Sequence, residues 1–131
     1  MIYMNETHER IYLDMCARDQ TGDDRERRGC FYLIALICCI HNNTPDSFYN
    51  FGERCIIPES INRPELTGNT SRALRLAYVL YNGFPSGNDP DSNTNNGINN
   101  IFRYGGGLNA YFLEALVIRY DIPAGIMLTG I

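Results

Sequence analysis

The chain contains no lysine and no tryptophan, and all 11 of its basic residues are arginines. Arginine grips carboxylates and phosphates through a planar, bidentate fork that lysine cannot offer, so any anion chemistry here is arginine chemistry. A lineage preference for arginine produces the same bias without any site. Positive charge is in short supply overall. The net charge of −4 excludes a non-specific nucleic-acid binder, which needs a basic surplus. Long hydrophobic runs are also missing. The longest, Cys30 to Ile40, is about half the ~20 residues that span a bilayer, so it reads as a buried core helix. Histidine is limited to His8 and His41, and no Cys-x-x-Cys occurs, which leaves zinc without its usual paired ligands. The five cysteines (Cys16, Cys30, Cys38, Cys39 and Cys55) are odd in number and do not form a disulfide framework. Met1-Ile2-Tyr3-Met4-Asn5-Glu6 has neither the basic nor the apolar region of an export signal, so a cytoplasmic location is expected. No stretch alternates with a period of two, and no strand is expected.

What remains is helical periodicity. With 44% hydrophobic and 20% charged residues, the 131-residue chain reads as one globular domain, residues 1–131. Asn5 to Arg18 carries His8, Ile11, Tyr12, Met15 and Cys16 on one face of an amphipathic helix. Asp19-Gln20-Thr21-Gly22 breaks it. A second helix starts at Asp23 or Asp24, runs through Glu26-Arg27-Arg28 into the apolar Cys30–Ile40 run, and stops at His41-Asn42-Asn43. Because its later part is apolar on every side, it belongs at the centre of the fold. Thr44-Pro45 opens a short helix to about Phe51, residues 53–66 form a loop with a helical turn after Pro58, and a further helix covers Ser71 to Tyr81. Residues 84–100 are a binding loop or a mobile one, rich in Asn, Ser, Gly and Pro. The last helix spans Leu108 to Tyr120, and an apolar tail follows from Ile122 to Ile131. The expected class is all-α, a single domain of four to six helices around a central helix at about 24–40.

The most informative segment is Thr67-Gly68-Asn69-Thr70-Ser71-Arg72-Ala73-Leu74-Arg75. A glycine-containing loop runs into a helix start, where unpaired N–H groups and the positive end of the dipole suit an anion. Thr67, Asn69, Thr70 and Ser71 add polar donors, Gly68 allows close backbone approach, and Arg72 and Arg75 lie three apart on one face. An ordinary N-cap with arginines paired to surface acids fits the same residues. The spacing is not that of a Walker loop. Glu114, alone in an apolar helix, requires a partner, and Arg72 or Arg75 is within reach if the fourth and last helices pack together. His8 reads as a core histidine, His41 as a charge suited to a helix C-terminus, and Arg25, Arg27 and Arg28 as a solvated helix start. No paired-carboxylate or Cys/His arrangement indicates catalysis. Tyr78, Tyr81, Tyr104 and Tyr111 are near the arginines in sequence and suit either core packing or stacking.

Several runs carry a resemblance. They are Glu26-Arg27-Arg28, Phe48-x-x-Phe51-x-Glu53-Arg54-x-Ile56, Thr67-Gly68-x-Thr70-Ser71-x-Ala73-x-Arg75-Leu76-Ala77, Leu80-Tyr81-Asn82-Gly83 and Tyr111-Phe112-x-Glu114-Ala115-x-x-x-Arg119-Tyr120. The chain resembles an uncharacterised family of small, mostly helical bacterial and phage proteins over roughly Glu6 to Tyr120. The resemblance implies a helical fold and supplies no catalytic residues; the Asn-rich loop departs from the pattern. The resulting expectation is a non-enzymatic, counter-defence binding protein of phage or mobile-element origin, without cofactor or metal. It would sequester an anionic or nucleotide-like small ligand at Thr67 to Arg75, helped by Arg103, Tyr104 and the glycine loop. The alternative is a protein–protein inhibitor of a host defence or regulatory enzyme, using the Asn-rich loop. The apolar last helix and tail also favour a homo-oligomer.

Overall fold

Asn5 begins the first helix. Its side-chain Oδ1 accepts from the His8 backbone N–H at 2.9 Å, which caps α1 (Glu6–Asp19), and Glu6 and Glu9 favour the positive end of its dipole. Gln20 ends the helix in the left-handed region at φ 52°. Asp24 caps α2 (Arg25–His41) in the same way by accepting from Arg27 N–H, and Asn42 closes it at φ 57°. The structure, a computed structural model, describes residues 1–82 and 106–121. The Asn-rich loop at 84–100, the turn near Phe102, Arg103, Tyr104 and the tail from Ile122 lie outside the described residues.

Every α2 residue from Gly29 to Cys38 is buried. The helix packs against α1, against α3 (Gly68–Asn82) and against α4 (Asn109–Tyr120). α4 is reached through a short 3-10 turn at Gly106–Leu108. The fold is thus mostly helical, as expected, with one addition. Tyr49–Asn50 (β1) and Cys55–Ile56 (β2) form an antiparallel hairpin with Tyr49 opposite Ile56 and Asn50 opposite Cys55. The helix expected from Pro45 to Phe51 shrinks to a 3-10 turn at Pro45–Ser47. The cause is a backbone bond from Ile57 N–H to Phe48 O (2.9 Å), which draws the chain into extended pairing and buries both Phe48 and Tyr49. Strands of two residues are too short to show alternation, so no periodicity marks them in the sequence.

Two glycines fix close approaches. A Cβ on Gly29 would meet the Arg119 Cβ at 3.2 Å and the Ala115 carbonyl at 3.4 Å, so the bare backbone sets the α2–α4 spacing. Gly106, at φ +59°, lies against Asn69, where a Cβ would meet the amide nitrogen at 3.1 Å.

The N-terminal segment is held by an aromatic cluster. His8 is fully buried. Its Nδ1 accepts from Met4 N–H at 3.0 Å, which leaves Nε2 to donate to the Tyr32 carbonyl at 2.9 Å. Tyr3 and Tyr32 flank the ring at 5.4 and 4.7 Å between centroids. The core reading of this residue is therefore the one the geometry favours.

Burial pushes the His8 imidazole below its ordinary 6.5, against a smaller opposing effect of the bond to Tyr32. The folded state keeps the ring neutral while the unfolded chain protonates it sooner. Its contribution to stability is therefore complete above about pH 6.5 and erodes as the pH falls below that value. The urea midpoint is expected to drop between about pH 7 and about pH 5, with a flatter dependence in His8→Gln. Identical pH slopes in the two proteins would refute the assignment. A second expectation concerns the α2–α4 contact: Gly29→Ala lowers stability by about 1–3 kcal/mol through overpacking. Thermal melting checks this, and an unchanged midpoint would mean that α4 yields without cost.

Candidate functional site

The start of α3 is built by a reciprocal cap. Thr67 N–H donates to Thr70 Oγ1 at 2.8 Å, Thr70 N–H points back to Thr67 Oγ1 at 3.4 Å, and the two hydroxyls lie 3.0 Å apart. This is the geometry of a capping box, with threonine in place of the usual acid. The helix accordingly begins at Gly68, three residues before the expected Ser71. Thr70 is buried, and its hydroxyl also contacts Nε2 of His41 at 2.8 Å. The end of α2 is thereby tied to the beginning of α3. Both threonine hydroxyls are engaged in the cap, that of Thr70 buried and that of Thr67 on an exposed residue.

The rest of the segment faces solvent more freely. Thr67, Gly68 and Asn69 are exposed, while Ser71, Arg72 and Arg75 are half-buried. Arg72 curls back so that Nη1 donates to Gly68 O at 2.8 Å, which places its guanidinium over the first turn. Gly68 makes room for it, since a Cβ there would come within 3.0 Å of that nitrogen. Burial, and then the neighbouring charge of Arg72, lower the Arg75 guanidinium from its ordinary value. The first turn of α3 carries no acidic residue, in contrast to α1 and α2. Two guanidiniums and the positive end of a helix dipole therefore converge on one short stretch of surface. The glycine turn before α4 joins it through the Gly106–Asn69 contact. Arg103 and Tyr104 lie outside the described residues.

Other expected participants are placed elsewhere. Glu114 accepts from Ile2 N–H at 3.3 Å rather than pairing with Arg72 or Arg75. Tyr78 is fully buried, with its hydroxyl bonded to Ser60 and donating to the Phe48 carbonyl. Tyr81 donates to the Arg54 carbonyl, and Tyr111 packs against His8. Among the described residues, no group of three His, Cys, Asp or Glu side chains converges as a metal set requires, and no helix is long and apolar enough to cross a membrane.

A second polar cluster was not visible in the sequence. Asp19 ends α1 with its side chain fully buried, and it accepts from Thr21 (2.9 Å), Tyr49 (3.1 Å) and Arg54, the last through both carboxylate oxygens (3.1 and 2.9 Å). Arg27 completes the group. It donates to the Tyr49 hydroxyl at 2.9 Å, Asp24 at 2.6 Å and the Arg54 carbonyl at 3.0 Å, with Nε 3.8 Å from Asp19. Burial works to raise the Asp19 carboxyl, but the bonds from Arg54, Thr21 and Tyr49 hold it below the usual 3.8. Asp24 is held low in the same way, as Arg27 outweighs its burial. Arg54 adopts φ 54°, the left-handed region, in the hairpin turn that delivers it to Asp19. In sequence, Asp19 looked like part of a helix breaker and Arg27 like a member of a wet helix start. Their shared burial is produced by a hairpin the sequence does not announce.

This cluster is structural: its carboxylate is held by a threonine, a tyrosine and an arginine from three stretches of the chain. Arg27→Ala is expected to cost about 3 kcal/mol, since it strips a cation from a buried carboxylate. Because Asp19 and Asp24 have folded values below the usual 3.8, their contribution is complete above that pH and is lost as the pH falls through the folded values. Urea unfolding at neutral pH and acid titration check both statements. A cost below about 1 kcal/mol would show that Arg54 alone neutralises Asp19.

The described chain is thus a mostly helical module with one buried charged clasp and one basic helix start. It belongs to DUF6075, a family of unknown function, which matches residues 1–124. No curated protein and no solved structure matches it.

Proposed function

We propose that the protein is a non-enzymatic binding module that holds an anionic, nucleotide-like small ligand at the α3 start. The observation that carries this reading is the concentration of like charge. Arg72 and Arg75 lie close enough for one to disfavour ionisation of the other, at a helix end that is itself positive and has no acid in its first turn. A phosphate or carboxylate seated there relieves that repulsion and gains hydrogen bonds from the guanidiniums and from the first N–H groups of the helix. With both threonine hydroxyls engaged in the cap, Gly68, Asn69, Arg72 and Arg75 form the contact set, with Ser71 at its edge. Arg103 and Tyr104 complete it if the glycine turn brings them beside Asn69.

In this reading the chain is a cytoplasmic helical module organised on α2, carried by a phage or mobile element, and its role is to sequester a signal on which a host defence depends. The sequestering role needs no catalytic group, and the site draws on none. The runner-up, an inhibitor that covers a host enzyme, would use residues 84–100; deleting residues 86–96 would then abolish partner capture and leave the arginines dispensable.

Native mass spectrometry of the purified chain, supplemented by calorimetric titration with ADP and inorganic phosphate, tests the proposal. A small bound mass, or measurable binding of either probe, is expected in the wild type. Arg72→Ala/Arg75→Ala should weaken it at least about tenfold, with the circular dichroism spectrum unchanged. Retention of the bound species by the double variant would refute the site. Unfolding of the Arg75→Ala variant would make that arginine a structural residue and refute the clamp.

A further inference from the structure

α4 is apolar nearly throughout, yet it buries only Phe112 and Ala115. Its inner face, with Ala115 and Arg119, is set against Gly29 of α2. Leu113, Val117 and Tyr120 recur at the i, i+4, i+7 spacing away from that contact, while Leu116 packs against the core. Leu113 and Tyr120 are 44% and 55% exposed, and Leu116 and Val117 are half-buried between them. Met1 and Ile2, also exposed, lie along the flank of the same helix. Four of the six large hydrophobic side chains that the described residues expose therefore gather around α4. A contiguous patch of this kind marks an interface.

We propose that this stripe is the seam of a homodimer in which α4 packs antiparallel on α4 of a second copy. A two-fold axis beside Val117 brings Leu113 onto the partner's Tyr120 and Val117 beside the partner's Val117. The flanking charges select a second copy over other occupants. A cleft of about 490 Å³ beside the stripe is lined by Met1, Ile2, Arg28, Glu114 and Val117 among others. α2 runs antiparallel to α4, since Arg25 meets Asp121 at 3.1 Å while Gly29 lies against Ala115 and Arg119. Arg25 and Arg28 therefore lie towards the C-terminal half of α4, and Glu114 lies towards its N-terminal half, on the same flank. The two-fold keeps that flank facing its own copy and reverses the ends. Glu114 then faces the partner's Arg28, whose neighbour Arg25 is already bridged to Asp121, and the pairing is made twice. A lipid surface or an unrelated helix has no reason to match this pattern. The seam does not rest on the anion reading at α3.

Sedimentation velocity of the full chain over a concentration series tests the proposal. The wild type is expected to be dimeric and to dissociate on dilution. Leu113→Glu/Tyr120→Ser alters exposed positions only and should raise the dimer Kd at least about a hundredfold with an unchanged circular dichroism spectrum. Glu114→Arg should weaken the dimer, and addition of Arg28→Glu should restore it. A wild type that is monomeric throughout, or a dimer indifferent to Leu113→Glu/Tyr120→Ser, overturns the seam. Failure of the charge swap to restore association, with both variants folded, overturns the antiparallel arrangement.

Discussion

The buried carboxylate of Asp19 is the constraint on which the rest of the structure depends. A charge with no solvent access must be surrounded by donors, and here Thr21, Tyr49 and Arg54 donate to it while the Arg27 guanidinium lies 3.8 Å away. Thr21 follows α1, Arg27 opens α2, and Tyr49 and Arg54 belong to the hairpin and its turn. Arg27 extends the network to Asp24 and reaches the ring of Tyr81 at the end of α3. The end of one helix, the start of the next, the hairpin and the end of a third are thus brought into register by one electrostatic requirement. The hairpin could not stand alone, because two paired residues on each side bury too little. Its turn is held in a left-handed conformation at Arg54, which the ion pair to Asp19 supports.

Around this clasp, α2 supplies the apolar volume. A helix buried on all sides needs neighbours on all sides, and α1, α3 and α4 provide them. The approach of α4 is set by the missing side chain of Gly29, and its other face is left apolar. That second face is the physical basis for the proposed contact between copies. It also explains why the last helix looks like a core helix in sequence while burying only two residues fully.

The charged residues divide into two populations with different consequences. Those around Asp19 satisfy one another and serve architecture. Those at the start of α3, Arg72 and Arg75, lie near a positive helix end, where the proposed anion would be seated. Membership of a family of unknown function leaves the ligand open, so the functional reading stands on this electrostatic asymmetry.

Local features were legible in the sequence because their causes are local. The start of α2 at Asp24, the amphipathic phase of α1, the all-round apolarity of α2 and the exit of α2 at His41-Asn42 each depend on residues within a turn or two, whereas α3, capped at Thr67, begins three residues before the expected start. The association of the glycine turn with the α3 start follows the expected neighbourhood, although only Gly106 and Asn69 display it directly. The partners of each charge were not legible. Asp19 and Arg54 are 35 residues apart, and Glu114 turned to Ile2, 112 residues away, rather than to an arginine. The hairpin escaped notice because its strands are shorter than the period that would reveal them. Sequence by itself determined roughly where the four long helices lie, since backbone hydrogen bonding and side-chain periodicity act over short range. Tertiary structure alone decided which ions meet and which apolar face stays outside, because desolvation and packing depend on what the rest of the chain brings alongside.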